Sequence, residues 1–115
     1  MLWVLMAMSI LLSGCDALAI TGPAVSVEVR TQTGEATGFE PASVSAPPDT
    51  PVALTFINIS SLEHNLVFLD PVAASTRAIV RPGESDHIEF ATPVAGTYQF
   101  VCSIHEDMRG SLVVR

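Results

Sequence analysis

The sequence predicts an all-β protein, an antiparallel β-sandwich or β-barrel, from three observations. Several short segments alternate apolar and polar residues with a period of two, which is typical of half-buried strands. Glycine and proline turn signals separate these segments at intervals of about 8–12 residues. Beyond the first fourteen residues, no stretch keeps the apolar period of 3.6 that indicates a helix.

Three extended segments are expected in the first half of the domain. Residues 25–30 alternate valine with polar residues and predict a half-buried strand. Residues 39–46 predict an extended edge segment, because Pro41 has no N–H to donate to a strand ladder. Residues 52–59 are apolar and rich enough in β-branched side chains for a central strand.

The second half predicts four more strands. Residues 64–69 form a strand that an Asp-Pro turn ends, and residues 72–80 fit either a helical turn or a loop. Residues 86–91, 97–102 and 111–115 form the remaining strands. The aromatic side chains of the predicted strands are expected in the core, namely Phe56, Phe68, Phe90, Tyr98 and Phe100.

The first fourteen residues predict an export signal. Residues 1–12 are apolar except Ser9, and they are too few for a transmembrane helix, which needs about 20 residues. The run Leu12-Ser13-Gly14-Cys15 resembles a bacterial lipobox, in which Cys15 becomes the lipidated first residue of the mature protein. Cleavage after Ala19 is the alternative and would remove Cys15, and a cytosolic protein with an N-terminal core helix is a third interpretation. The first two interpretations place the domain outside the cytoplasm.

Length and charge exclude several classes of protein. The chain has 115 residues, so a signal over residues 1–14 and a tether over residues 15–23 leave one domain over residues 24–115. Five Lys and Arg stand against twelve Asp and Glu, and the net charge of −7 argues against nucleic-acid binding. Two cysteines cannot build a disulfide framework, so an apolar core must stabilise the fold. We expect a monomer.

One short segment concentrates residue types that bind metals. Cys102, His105 and Met108 occur within seven residues between two predicted strands, so a hairpin loop can bend all three around one point. A fourth ligand must come from elsewhere, and His64 at the head of another predicted strand is the candidate. Thiolate, thioether and imidazole donors together favour copper over hard cations. Zinc could occupy such a site, although structural zinc sites seldom use methionine.

At these residues the sequence resembles the plastocyanin/amicyanin branch of the cupredoxins. Residues 96–110 are similar to the ligand loop of that family, with the short Cys-x2-His-x2-Met spacing of the amicyanin type. Residues 64–68 are similar to the strand that bears the first histidine, and Phe39-Glu40-Pro41 to an early segment. The resemblance covers residues 24–115 and implies a Greek-key antiparallel β-sandwich that holds one copper ion.

The resemblance also implies a role for each residue of the site. Three near-trigonal equatorial ligands and one distant axial ligand are implied, namely His64, Cys102 and His105 with Met108. Asn65 would bond the segment around Ser103 and so limit the movement of the thiolate. His105 would present its ring edge at the surface as the exit for the electron.

The function expected is that of an electron carrier with a blue copper site and no enzymatic activity. A copper-binding module for storage, buffering or delivery of the metal is the alternative. Glu63, Glu106 and Asp107 flank the expected ligand histidines and predict an acidic docking face for a redox partner with a basic rim, unless they only solubilise the protein. His87 lies among acidic neighbours on the outward side of its strand and is expected to be a solvated residue.

Overall fold

Residues 23–115 are described by a computed structural model, in which they form two four-stranded β-sheets. The predictions for the N-terminus lie outside the described residues, namely the signal over residues 1–14, the lipidated Cys15, cleavage after Ala19 and nearly all of the tether over residues 15–23. Within the described part, no helix is long and apolar enough to cross a membrane.

The two sheets each draw strands from both halves of the chain. The first sheet has the strand order β2-β1-β4-β6 and contains β1 (Val25–Thr31), β2 (Phe39–Glu40), β4 (Pro51–Ile57) and β6 (Ser85–Ala91). The second sheet has the order β3-β8-β7-β5 and contains β3 (Ser43–Ala46), β5 (Val67–Phe68), β7 (Gly96–Val101) and β8 (Arg109–Val114). The predicted all-β sandwich is confirmed.

The sheets are mixed rather than purely antiparallel. The pairs β1–β4 and β3–β8 are parallel, and the other pairs are antiparallel. The parallel pairing of β1 with β4 arises because the chain crosses to the second sheet after β2 and returns to the first sheet before β4. Strands that pair in parallel need such a long connection, and a tight hairpin cannot supply it.

Alternation of side chains along the strands builds the core between the sheets. Along β4, Val52, Leu54 and Phe56 are all buried, while the residues between them are only half-buried. The Phe100 ring of β7 lies 5.0 Å from the ring of Phe39 and 5.2 Å from the ring of Phe68, measured between centroids. Aromatic packing therefore fixes the end of β7. The other expected core aromatics, Phe90 and Tyr98, are partly buried and pack against this cluster.

The strand predicted over residues 64–69 is wrong in its extent, since only the two residues of β5 are in the ladder. His64 lies before β5 and forms an isolated bridge with Val80. On the side away from β7, the Leu66 N–H donates to the Thr76 hydroxyl at 3.1 Å and the Leu66 carbonyl oxygen accepts the Thr76 N–H at 3.0 Å. The segment over residues 72–80, for which the sequence left two interpretations, is a loop that pairs with the chain around His64.

Close packing in the core predicts the effect of a substitution at Gly110. A Cβ atom at this position would overlap the buried Phe100 ring and lie 3.0 Å from the Ala42 carbonyl oxygen. We expect Gly110→Ala to lower the free energy of unfolding of the metal-free protein by about 1–3 kcal/mol in a urea titration. Gly96→Ala is the control, because its Cβ would meet Tyr98 only at 3.4 Å. Equal losses in the two variants would contradict the packing described.

Candidate metal centre

Three side chains that can bind a metal converge just beyond the end of β7. The ligand atoms of His64, Cys102 and His105 all lie within 4.8 Å of one another. Cys102 Sγ is 3.9 Å from His64 Nδ1, and the two imidazole centroids are 4.7 Å apart. Metal–nitrogen and metal–sulfur bonds are about 2.0–2.3 Å long, so one ion can bridge two donors 3.9 Å apart. His87 is exposed on β6, away from this cluster.

The loop between β7 and β8 presents two of these residues together with Met108. The Cys102 N–H donates to the Met108 carbonyl oxygen at 3.0 Å, and the Met108 N–H donates to the His105 carbonyl oxygen at 3.1 Å. These bonds fold the loop back on itself directly above the paired ends of β7 and β8. Cys102 and Met108 are buried, whereas His105 is half-buried. The tight hairpin expected from the spacing is therefore present.

His64 reaches the cluster from another part of the chain. Its backbone N–H donates to the Val80 carbonyl oxygen at 3.1 Å, and its carbonyl oxygen accepts the Val80 N–H at 2.8 Å. The side chain is fully buried. Burial lowers the pKa of His64, and the nearby His105 adds to this effect. A lowered pKa keeps the imidazole neutral, which is the form that offers a lone pair to a metal.

The two histidines differ in what holds the ring nitrogen that faces away from the cluster. His105 Nε2 lies 3.1 Å from the Glu63 carbonyl oxygen. Because a carbonyl only accepts, Nε2 carries the proton and Nδ1 keeps its lone pair. His64 Nε2 is buried and has no hydrogen-bond partner among residues 23–115. The orientation of the His64 ring therefore depends on packing and on its backbone.

Asn65 joins the two segments that supply the cluster. Its Oδ1 accepts the Ser103 N–H at 2.8 Å, and its Nδ2 donates to the Ser103 hydroxyl at 2.7 Å. Nδ2 also donates to the Ala78 carbonyl oxygen at 2.9 Å. Asn65 follows His64 and Ser103 follows Cys102, so this pair of bonds fixes one ligand segment against the other. The contact is the one that the resemblance implies.

The predictions from the sequence omit two further features near the site. The Thr37 hydroxyl lies 3.1 and 2.9 Å from the two carboxylate oxygens of Asp107, which ties the loop after β1 to the ligand loop. Seventy positions separate these residues, so no local pattern points to the contact. Asn58 is fully buried beside the chain that leads to His64. Asn58 could be found from the sequence, because it continues the alternation that buries every second residue of β4. A buried amide needs hydrogen-bond partners.

The fold and this cluster define a class of protein, a β-sandwich with a mononuclear metal site built from one thiolate and two imidazoles. The family model of the cupredoxin-like domain matches residues 2–114, and the chain belongs to the cupredoxin family. The resemblance inferred from the ligand loop is thereby confirmed. Copper, the cofactor predicted from the donor set, is the metal of this family, and the family binds one ion.

The chain is similar to an auracyanin in sequence and to auracyanins in structure. Auracyanin-B of Chloroflexus aurantiacus is 31% identical over 125 residues, which cover 80% of this chain and 53% of the relative. The chain therefore spans about half the length of that curated relative. A structure of auracyanin B matches with a TM-score of 0.73 and 28% identity, covering 84% of this chain and 93% of the other.

Two other solved structures share the fold at lower identity. Auracyanin A, described as a "blue" copper protein from Chloroflexus aurantiacus, has a TM-score of 0.70 and 21% identity over 81% of this chain and all of the other. Amicyanin from Paracoccus versutus has a TM-score of 0.58 and 21% identity, covering 82% of this chain and 85% of the other. At these identities the likeness concerns the fold alone.

The buried, neutral imidazole of His64 predicts a pH dependence of the metal-free protein. Its pKa is below 6.5 in the folded state, so the unfolded chain binds more protons once the pH falls below about 6.5. The free energy of unfolding should therefore decrease as the pH falls from about 7 to 5. Denaturant titrations should show a smaller decrease for His64→Gln than for the unaltered protein, with His87→Gln as the control for loss of a histidine outside the cluster. Equal slopes for His64→Gln and the unaltered protein would contradict this account.

Proposed function

We propose that the protein is a carrier of single electrons that uses one copper ion as its redox centre. The observation that carries the proposal is the convergence of the Cys102 sulfur with the imidazoles of His64 and His105. The donor set supports it, because thiolate with two imidazoles and a thioether is the set of blue copper electron-transfer sites. Membership of the cupredoxin family, whose metal is copper, also supports it.

The side chains that would hold the copper are His64, Cys102 and His105, with Met108 as a weaker fourth donor. Bound copper supplies a centre that gains or loses one electron. The Cys102 sulfur is buried at the head of the loop, where a bound metal keeps it deprotonated. Nδ1 of His105 is free to bind because its Nε2 proton is held by the Glu63 carbonyl.

Rigid placement of these donors is the contribution of the protein to electron transfer. The two backbone hydrogen bonds inside the ligand loop and the Asn65–Ser103 pair hold the donors from both segments in place. Donors that stay in place when the charge changes make the transfer fast, because little has to reorganise. The site offers no pair of side chains for acid and base catalysis, so we propose a carrier rather than an enzyme.

We propose that the partner docks over His105. Glu63, Glu106 and Asp107 are exposed and lie within two positions of His64 or His105 in the sequence, and Ile104 next to the half-buried His105 is 44% exposed. An exposed apolar side chain that is close in the chain to exposed carboxylates suits a partner that has a basic rim around its own redox centre. The half-buried ring of His105 would then be the exit for the electron.

We also propose that the domain works outside the cytoplasm as a monomer anchored by lipid on Cys15. This proposal rests on the apolar segment over residues 1–12 and on the lipobox-like run that follows it. Mass spectrometry of the N-terminus of the native protein tests it. A lipid-modified Cys15 is the expected result, and a chain that begins after Ala19 would replace the anchor with plain secretion.

Loading the purified protein with Cu(II) tests the proposed redox centre. We expect an intense blue colour and an EPR spectrum with a small copper hyperfine splitting, because both arise from a copper–thiolate bond. Cys102→Ser should abolish both signals, whereas His87→Gln should keep both. A colourless complex that persists in Cys102→Ser would contradict the proposal and favour copper storage or delivery.

The acidic docking face predicts a salt dependence that specific carboxylates control. The reduced, copper-loaded protein can be oxidised by a small cationic cobalt(III) complex. The second-order rate constant for this oxidation should decrease as ionic strength rises, because salt screens the attraction between the carboxylates and the complex. Exchange of Glu63 and Glu106 for glutamine should make this slope shallower. Glu89→Gln on the outer face of β6 should change the slope less. An unchanged slope in the double variant would remove the docking face from the account.

A further inference from the structure

His64 lacks two of the usual anchors of a metal-binding histidine. Ligating histidines almost always donate their second ring N–H to a carbonyl or carboxylate, yet His64 Nε2 finds no such partner among the residues that the structure describes. The residue also lies outside the regular strands, so its backbone is held by the two hydrogen bonds to Val80. Whatever fixes Val80 therefore fixes the His64 backbone.

The side-chain amide of Asn58 donates two hydrogen bonds to the backbone around the contact between His64 and Val80. Its Nδ2 donates to the Val80 carbonyl oxygen at 2.9 Å, the same oxygen that accepts the His64 N–H. Nδ2 also donates to the Leu62 carbonyl oxygen at 2.8 Å, two residues before His64. One amide group therefore positions the Val80 carbonyl, which accepts the His64 N–H, and also the Leu62 carbonyl in the chain that leads to His64.

Asn58 is itself fixed to the first sheet. It follows β4 directly and is fully buried. Its backbone N–H donates to the Glu84 carbonyl oxygen at 2.9 Å, and its carbonyl oxygen accepts the Gly83 N–H at 2.8 Å. Its Oδ1 accepts the Ser60 N–H and hydroxyl, both at 2.9 Å, and the Thr31 hydroxyl at 3.3 Å. Both ends of the amide are occupied, so the side chain has one orientation.

We propose that Asn58 is a positioning residue that orients the His64 imidazole toward the metal. It acts through the backbone of Val80 and Leu62 and takes no part in metal binding. The proposal rests on the copper site described above, because it concerns the geometry of one of the ligands of that site. The Glu63 carbonyl restrains His105 directly, through its ring. The buried amide of Asn58 restrains His64 indirectly, through its backbone.

Asn58→Asp is the variant that isolates this role. Aspartate has the shape of asparagine and keeps an oxygen for Ser60 and Thr31, but it loses both N–H donors to Leu62 and Val80. Thr31→Val is the matched control, because it removes the bonds of the Thr31 hydroxyl to Oδ1 and to the Ile59 N–H but leaves both Nδ2 donors intact. Should Asn58→Asp not fold, Asn58→Ser takes its place, since a hydroxyl can replace only one of the two donors.

Amide hydrogen exchange of the metal-free protein is the first measurement. We expect the exchange rates of the His64 and Val80 amides to rise at least tenfold in Asn58→Asp relative to amides of the β7–β8 ladder. Thr31→Val should leave this ratio near its original value. An unchanged ratio in Asn58→Asp, or an equal rise in Thr31→Val, would overturn the proposal. The same criterion applies to the serine variant.

The copper-loaded protein gives the second measurement. We expect Asn58→Asp to shift the reduction potential and to change the copper hyperfine splitting, while Thr31→Val keeps both values. Wild-type values for both quantities in Asn58→Asp would overturn the proposal. If the proposed copper site were wrong, the unaltered protein would lack the blue signal. The exchange ratio would still test the role of Asn58, because it reports on the His64 backbone of the metal-free protein.

Discussion

The site depends on holding one thiolate and two imidazoles from distant parts of the chain around a single point. Cys102 and His105 share a hairpin loop, whereas His64 lies 38 positions before Cys102. A flexible chain would pay a large entropic cost to gather them. The Asn65–Ser103 hydrogen bonds offset part of this cost, because they join the residue after His64 to the residue after Cys102.

The two sheets contribute to this requirement in different ways. The second sheet supports the ligand loop directly, because β7 and β8 are paired up to the residues that flank it and Phe100 packs in the core beneath. The first sheet reaches His64 through Asn58, which holds the Val80 and Leu62 carbonyls. The donors of the cluster are therefore held from both sheets, and their relative positions depend on the rigidity of the whole sandwich.

The parts of this arrangement that are local in the chain could be predicted from the sequence. Alternating valines indicate β1, and the spacing from Cys102 to Met108 indicates the ligand hairpin. The extent of β5 could not be predicted, because residues 64–66 pair with a loop ten or more residues away rather than with a strand. The contact between Thr37 and Asp107 and the parallel pairing of β1 with β4 depend on chain crossings that leave no periodic pattern.

X-ray absorption at the copper edge of the loaded protein tests the central claim most directly, because it reports the atoms bonded to the metal. The account predicts one short copper–sulfur bond and two copper–nitrogen bonds from imidazole, and loss of the short sulfur bond in Cys102→Ser. A copper ion bonded only to nitrogen and oxygen, with a spectrum that is the same in the serine variant, would contradict it.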